Sequence, residues 1–311
     1  MKILFFGDVF GKPGREALKF IIHQWKKEYE PDIIIANGEN MSHGAGISES
    51  SINELLEAGV QIITGGNHTF EGKDASKLLN DPKLPLLRPA NMPAEMPGRG
   101  YAFFKIKNNF LSHSEPGEEP PFSNIDQKPK ILPLRTAHSQ DDKNLFELGS
   151  GLLVINLIGQ VHMRYHYDSP FNTIDKILKN LPPPTSHPPL PIMVDWHAEA
   201  SSEKVAMGWY LDGRVSAVLG THSHTPTADE RILPQGTGFV SDIGMVGPHN
   251  SIIGQEITAN LERFIKQIPK KVEVAGAPPY EMNAVLLEID EKTGKTVKIQ
   301  RLRKILLEER L

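Results

Sequence analysis

The sequence predicts an α/β fold, a layered sandwich of strands and helices with a site at the carboxyl ends of its strands. Three observations support this prediction. Short apolar runs end in glycine or in a polar cluster, a helical pattern separates the first two runs, and residues 1–70 follow the order strand, helix, strand, helix, strand. This alternation is typical of parallel sheets that are covered by helices.

The elements of residues 1–70 follow in chain order. The run "KILFFGD" predicts a buried strand, and "GREALKFIIHQWKKEY" predicts a helix whose apolar stripe runs from Ala17 to Trp25. The run "DIIIANGEN" predicts a second strand. Ser51 and Glu54 have the spacing of a capping box for a second helix, which Gly59 ends. The run "VQIITGGNH" then predicts a third strand.

Four later segments repeat the pattern of an apolar run followed by a polar loop: "GLLVINLIG", "LPIMVDWHAE", "VSAVLGTHSH" and "GTGFVSDIGM". A hairpin around Thr293 and Gly294 is predicted near the C-terminus. Residues 108–147 are rich in proline, serine and charge with little periodicity, which predicts an irregular surface insertion. We therefore expect residues 1–311 to form a single domain that carries this insertion.

Composition narrows the class of protein. The chain has 311 residues, of which 39% are hydrophobic and 23% charged, as in a globular protein with a sizeable core. The formal net charge of −4 gives no basic excess, so binding to long nucleic acid is not expected. Without cysteine, oxygen and imidazole groups are the expected metal ligands. No apolar run suits a signal-peptide core or a membrane span, and the expected location is the cytoplasm.

Polar residues follow the apolar runs at five predicted strand ends: Asp8, Glu39 with Asn40, Asn67 with His68, His197, and His222 with His224. Taken singly, each is better explained as a cap, a turn residue or a buried histidine. Ligands of parallel α/β sheets bind outside the carboxyl ends of the strands, however, and these residues share that position. Together they are the carboxylates, amides and imidazoles of a divalent metal site.

Histidines supply two further expectations. His222 and His224 are one residue apart, and in an extended loop this spacing lets both imidazoles reach a common centre. His43, His162 and His249 lie in loops near predicted strand ends. We expect these three to be substrate contacts at the mouth of the site.

Five short motifs occur in a fixed order along the chain: "GDVF", "NGEN", "GNHTF", "DWHAE" and "GTHSH". With these motifs the chain resembles the calcineurin-like binuclear metallophosphoesterases. The segments "GDVFGKPGR", "NGENMSHGAG", "RPANMP" and "RILPQGTGFVSDIGMVGP" resemble more narrowly the bacterial YmdB-type branch, which hydrolyses cyclic nucleotides. The resemblance covers nearly the whole chain outside residues 108–147.

The resemblance implies a layered α/β sandwich that holds two divalent or trivalent transition metals, with iron or manganese expected and zinc as the alternative. It implies one metal held by Asp8, Glu39, Asn40 and His224, and a second held by Asn67, His197, His222 and the shared Glu39. It makes His68 the proton donor. Three departures from the broad superfamily pattern favour the narrow branch: Phe10 replaces a histidine, Glu39 replaces the bridging aspartate, and Thr69 replaces an acidic residue.

The predicted function is hydrolysis of small cyclic nucleotides, namely 2′,3′-cyclic and also 3′,5′-cyclic monophosphates, through attack by a metal-bridged hydroxide. Two alternatives stay open. One is a phosphomonoesterase, such as a nucleotidase or a phosphoprotein phosphatase, and the other is a regulatory protein that binds nucleotide or RNA with slow catalysis. The expected partner is a small nucleotide and not a membrane, and the sequence leaves a homo-oligomer open.

Overall fold

A computed structural model describes residues 1–105, 130–132, 151–181 and 189–307 of the chain. These residues form two β-sheets and six helices. The strands are β1 Lys2–Val9, β2 Ile33–Asn37, β3 Ile62–Thr64, β4 Tyr101–Lys105, β5 Lys130–Leu132, β6 Gly151–Ile158, β7 Ile192–His197, β8 Ala217–Thr221, β9 Arg231–Ile232, β10 Gly238–Val240, β11 Met245–Pro248, β12 Tyr280–Asp290 and β13 Lys295–Leu306. The helices are α1 Gly11–Tyr29, α2 Glu49–Ala58, α3 Ala75–Asn80, α4 Pro170–Lys179, α5 Ser201–Tyr210 and α6 Ile257–Lys266.

Both sheets have a parallel centre. The first has the order β13-β12-β11-β1-β2-β3, in which β11, β1, β2 and β3 are parallel. Its antiparallel part is the hairpin of β12 and β13, which turns at Thr293 and Gly294 as the sequence predicts. The second has the order β5-β4-β6-β7-β8-β10-β9, with β6, β7, β8 and β10 parallel.

The two sheets pack face to face with helices outside. In β1, Phe5 points into the core between the sheets and packs in one cluster with Phe104 and Val154 of the second sheet. The neighbouring Phe6 points the other way and stacks on Trp25 of α1 at 5.6 Å between ring centroids. This alternation is that of a strand buried on both faces. The layered α/β sandwich predicted from the sequence is therefore confirmed.

The first two helices begin and end for local reasons. The apolar stripe of α1 is buried from Ala17 to Trp25, as predicted. The N-cap of α2 is Ser48, whose hydroxyl accepts from Ser51 N while Ser51 Oγ accepts from Ser48 N. The predicted cap at Ser51 is therefore wrong by almost one turn, because a serine at the third helical position can reciprocate as a glutamate does. Gly59 ends the helix in the left-handed region, at φ 108.

The predicted insertion is described at one place only. Lys130–Leu132 form β5, which pairs antiparallel with β4 at the edge of the second sheet. The other residues between 108 and 147 lie outside the described residues, so the insertion and the single domain stay predictions. Within the described ranges, no helix is both long enough and apolar enough to cross a bilayer.

Candidate metal centre

The carboxyl ends of strands from both sheets meet at one edge of the sandwich. The polar residues there are Asp8 in β1, Glu39 and Asn40 after β2, Asn67 and His68 after β3, His197 at the end of β7, and His222 and His224 after β8. A glycine lets the turn after β3 approach this edge. A Cβ on Gly66 would stand 2.2 Å from Glu39 Oε2 and 2.4 Å from His197 Nε2.

Carboxylate and imidazole atoms at this edge form two groups that share one residue. Asp8, Glu39 and His224 offer ligand atoms within 4.8 Å of one another, and so do Glu39, His197 and His222. The sequence resemblance implies the same division between two metals, with Glu39 common to both. The fold thus brings residues from four strand ends within reach of shared ions.

Two asparagines extend these groups. Asn40 Nδ2 lies 2.8 Å from Glu39 Oε1 and 3.1 Å from His224 Nε2, and Asn67 Oδ1 lies 2.9 Å from His197 Nε2. Asn67 thus presents an oxygen to the centre, whereas Asn40 presents its amide nitrogen. A metal accepts only the oxygen of a carboxamide, so ligation by Asn40 requires a half-turn of its amide group.

The centre has more acceptor atoms than protons to share among them, which favours a bound cation over a network of hydrogen bonds. Three acceptors surround His197 Nε2: Glu39 Oε2 at 3.2 Å, His222 Nδ1 at 3.1 Å and Asn67 Oδ1 at 2.9 Å. A single proton on this nitrogen can satisfy only one of them. Asp8 Oδ1 is buried and has no hydrogen-bond partner among the residues that the structure describes. Convergent carboxylate, amide and imidazole atoms of this kind fit a transition-metal ion.

The electrostatic effect of the buried carboxylates also favours bound cations at the centre. Burial alone lowers the pKa of His197, but the carboxylates of Glu39 and Asp8 outweigh burial and raise it to about 9. Burial raises the pKa of Asp8. Among the described residues, only histidines form ion pairs with these two carboxylates. Two buried carboxylates without lysine or arginine partners are costly, and bound cations would offset that cost.

A chain of hydrogen bonds sets the orientation of the His197 ring. Thr221 Oγ1 donates to Asp195 Oδ1 at 2.7 Å, so it accepts from His197 Nδ1 at 3.0 Å. In the neutral ring that a metal ion would bind, the proton is thereby held on Nδ1 and the lone pair of Nε2 faces the centre. Outer contacts of this kind fix the tautomer of metal-binding histidines in proteins.

The other two histidines are oriented in similar ways. His224 Nδ1 lies 3.0 Å from Ile253 O, which leaves Nε2 toward the centre, and the ring meets Phe10 edge to face at 5.2 Å between centroids. Phe10, which replaces the histidine of the broad pattern, therefore packs against a ligand candidate. His222 Nε2 lies 2.8 Å from Glu199 Oε2, which leaves Nδ1 toward His197.

The loop of residues 222–224, here called the histidine loop, is not extended. His222 has φ 103 and His224 has φ 63, both in the region that non-glycine residues rarely adopt. The expectation of an extended loop is therefore wrong. The backbone is held there because His222 N donates to Asp8 Oδ2 at 3.0 Å and Ser223 N donates to Asp242 Oδ2 at 3.0 Å. Strained backbone that the surroundings impose is a common property of functional sites.

His68 lies beside the centre, but the hydrogen bond of its imidazole is to a residue outside the two ligand groups. Its backbone N donates to Glu39 Oε2 at 3.0 Å, and its Nδ1 lies 2.8 Å from Glu71 Oε1. The side chain is 36% exposed. The backbone of His68 therefore touches the centre, and no hydrogen bond within the described ranges uses its Nε2.

The three predicted substrate contacts lie at different places. His43 is exposed, follows Asn40 by three residues and contacts Ser42 Oγ at 3.2 Å. His162 is exposed in the loop after β6. His249 follows β11 and contacts Glu281 Oε2 at 2.6 Å, in the wall of a cavity that also includes His224.

Several residues that support the centre were not among the predicted ones. They are Asp195, Glu199, Thr221, Lys204 and Asp242. The first three lie within the motifs "DWHAE" and "GTHSH". Their place beside the predicted ligands could have marked them as candidates, but the motifs do not say what each side chain contacts. Lys204 and Asp242 are buried ionic residues separated by 38 positions. Only the folded chain shows that they meet.

The sandwich and the ligand groups at its strand ends define an α/β protein with a candidate metal site at the carboxyl ends of its strands. A family model described as YmdB-like protein matches residues 4–114 and 122–302. The chain belongs to the YmdB-like family. The family model also matches part of residues 108–147. The resemblance based on sequence motifs did not include that segment.

Two relatives of known sequence align over nearly the whole chain. The chain is 36% identical over 303 residues to the 2′,3′-cyclic-nucleotide 2′-phosphodiesterase of Bacillus subtilis (strain 168), covering 97% of this chain and 96% of that protein. It is 31% identical over 307 residues to a putative phosphatase/phosphodiesterase of Mycoplasma pneumoniae, covering 97% and 92%.

Two solved structures share the fold. A hypothetical protein from Thermus thermophilus aligns with a TM-score of 0.78 and 32% identity, over 98% of this chain and 100% of that one. A novel phosphatase from Mycoplasma pneumoniae aligns with a TM-score of 0.78 and 29% identity, over 100% and 95%. The architecture described above is therefore shared with a solved structure described as a phosphatase.

Proposed function

We propose that the chain is a phosphodiesterase that hydrolyses small cyclic nucleotides at a centre of two transition metals, with 2′,3′-cyclic monophosphates as the first substrates to test. The observation that carries the proposal is the pair of ligand groups that share Glu39. The name of the Bacillus subtilis relative supports the substrate class. Iron or manganese is the proposed metal, with zinc as the alternative.

The seven ligand candidates would hold the metals: Asp8, Glu39, Asn40 and His224 on one side, and Asn67, His197, His222 and the shared Glu39 on the other. When bound, two such ions supply a nucleophile at neutral pH and stabilise charge on the phosphoryl oxygens. The carboxylate of Glu39 fixes the separation of the two groups because both use it.

His68 is the proposed general acid. Opening a cyclic phosphate expels a ribose alkoxide, a poor leaving group that benefits from a proton. Glu71 and the backbone contact with Glu39 orient His68, and among the described residues its Nε2 has no hydrogen-bond partner. Because Nδ1 donates to Glu71, the proton for the leaving group comes from Nε2 of the doubly protonated ring. General acid catalysis of this kind is worth about 10²–10⁴-fold in rate.

Two substrates measured with His68→Ala test this role. Hydrolysis of a 2′,3′-cyclic nucleotide should fall by about 10²–10⁴-fold, because the alkoxide leaves unprotonated. Hydrolysis of bis(4-nitrophenyl) phosphate should fall much less, because nitrophenolate leaves without a proton. The matched control is His23→Ala, which alters an exposed histidine of α1. Metal content should match the parent in both variants.

Each other result assigns a different role. An equal loss on both substrates with metal retained would mean that His68 orients phosphate, and a loss of metal would make it a ligand. Turnover of monoesters without diesters would favour the phosphomonoesterase alternative, which the name of the Mycoplasma relative also includes. Bound metal without any turnover would favour the regulatory alternative. Homo-oligomer formation and location in the cytoplasm stay predictions.

A further inference from the structure

A cavity of about 560 Å³ opens beside the candidate metal centre. The ring of His224 forms the wall between the two: its Nε2 faces Asn40 at the centre, and its Nδ1 lies 3.0 Å from Ile253 O on the cavity side. Ile252, Ile253 and Met245 supply apolar lining. His224 is thus both a ligand candidate of the centre and a lining residue of the cavity, so the two sites adjoin at this side chain.

Part of the cavity wall is an ionic cluster of Glu281, His249 and Arg303. Glu281, which is 8% exposed, lies with Oε2 at 2.6 Å from His249 Nδ1 and accepts at Oε1 from Arg303 Nε at 2.9 Å. Asn283 Nδ2 donates to the same Oε1 at 3.1 Å. The buried carboxylate thus holds an imidazole and a guanidinium in fixed orientation at the cavity wall.

This cluster leaves donors that the fold does not use. Over residues 1–105, 130–132, 151–181 and 189–307, the Nη groups of Arg303 and Nε2 of His249 have no hydrogen-bond partner. Because Nδ1 of His249 donates to Glu281, its Nε2 can donate to a phosphate only when the ring carries both protons. Arg301 also lines the cavity, but its guanidinium is engaged elsewhere: Nε lies 3.8 Å from Glu230 Oε1 and Nη1 donates to Thr227 O at 3.1 Å. The Nη groups of Arg303 are therefore the available guanidinium fork, the geometry that binds phosphate oxygens in two hydrogen bonds.

Size and polarity together indicate the ligand. A volume of about 560 Å³ is in the range of small-molecule sites and has room for a nucleoside. The apolar residues suit a base or a ribose, and the guanidinium of Arg303 stands in the same lining. The expected ligand thus has one phosphate at the metals and a second phosphate one nucleoside away.

We propose that this cavity is a subsite for a second phosphate of the substrate, bound by Arg303 with His249. The preferred substrates are then nucleoside 2′,3′-cyclic phosphates that also carry a 5′-phosphate. That group is either a terminal monoester or the phosphodiester that precedes the cyclic end of an RNA fragment. The inference rests on the proposed function, because it assumes a cyclic phosphate at the centre.

Three substrates test the subsite on the metal-loaded protein: adenosine 2′,3′-cyclic phosphate, its 5′-phosphorylated form, and a dinucleotide with a 2′,3′-cyclic end. We expect kcat/KM to be at least about tenfold higher for the substrates with a second phosphate, mainly through a lower KM. A factor of about ten is what one charge-assisted hydrogen bond contributes to binding. Arg303→Gln should abolish this preference and leave the unphosphorylated substrate unchanged. Arg303→Lys should keep part of it, and Arg263→Gln on the exposed surface of α6 should keep all of it.

A binding measurement separates this inference from the proposed function. By calorimetry, adenosine 3′,5′-bisphosphate should bind the parent at least about tenfold more tightly than adenosine 3′-phosphate. In Arg303→Gln the two nucleotides should bind with equal affinity. Preference for the 5′-phosphorylated mononucleotide alone assigns a terminal phosphate, and preference for the dinucleotide as well assigns an RNA end. Equal kcat/KM for all three substrates overturns the subsite and leaves the proposed function intact. If none is hydrolysed, the proposed function fails, and the calorimetry alone decides whether the subsite exists.

Discussion

Replacing Lys204 by methionine tests what holds the histidine loop in its strained conformation. Lys204 on α5 is 3% exposed, and its Nζ donates to Thr221 O at 2.9 Å and to Asp242 Oδ2. Asp242 accepts in turn from Ser223 N at 3.0 Å. The ion pair therefore fixes the strand end before the loop and the middle of the loop at the same time.

The expected cost follows from burial of both partners. Methionine keeps nearly the length and apolar volume of the lysine stem, so the loss is mainly electrostatic. Removing one partner of a buried ion pair costs about 3–5 kcal/mol, because the other charge stays buried. Asp242 keeps backbone donors at Ser223 N and Gly244 N, so we expect the lower end, about 3 kcal/mol. This is a large part of the about 5–15 kcal/mol that typically stabilises a domain.

Urea unfolding of the metal-free protein measures the cost as a shift in midpoint at unchanged slope. The matched control is Lys26→Met, which removes an exposed lysine of α1 and should change stability by less than about 0.5 kcal/mol. Adding Asp242→Asn to Lys204→Met should restore part of the loss, because the uncompensated charge is gone. Added metal should increase the deficit, because the displaced loop carries two ligand candidates. A cost below about 1 kcal/mol would refute the reasoning.

Three further predictions concern the centre and its surroundings. Glu39→Ala should lower metal occupancy at both sites, measured by elemental analysis, and unchanged occupancy would exclude a bridge. Gly66→Ala should weaken metal binding more than folding, because its Cβ would stand 2.2 Å from Glu39 Oε2; parent-like metal titration would contradict the close approach. Asp229→Asn should cost about 1 kcal/mol at pH 7 after solvent screening is allowed for. Burial raises the pKa of Asp229, but hydrogen bonds from Ser241 and Thr227 outweigh burial and lower it below 3.8. The folded-state pKa is thus depressed, so the stabilisation is present above about pH 4 and is lost as pH falls through the folded-state pKa. A deficit that does not shrink in acid would count against this cause.

Local patterns in the sequence predicted most of the fold. The apolar stripe of α1, the strands that precede each polar cluster and the hairpin at Thr293 and Gly294 all depend on residues close together in the chain. The errors arise where several local solutions exist. Ser48 and Ser51 both suit an N-cap, and only the packed helix shows which one serves. The backbone of the histidine loop is set by Asp8 and Asp242, which no local pattern contains.

The sequence by itself determined which residue types could form the centre, because each ligand candidate follows an apolar run and the chemistry of a side chain is a local property. The tertiary structure decided how they are grouped. Asn40 meets His224 across 184 positions, and His197 meets Asn67 across 130. It also decided which nitrogen of His197 faces the centre, through Thr221 and Asp195, and it built the cavity wall from His249, Glu281 and Arg303 on separate segments. Such contacts depend on how two sheets pack, and the free energy of that packing is spread over the whole core, so no single motif contains it.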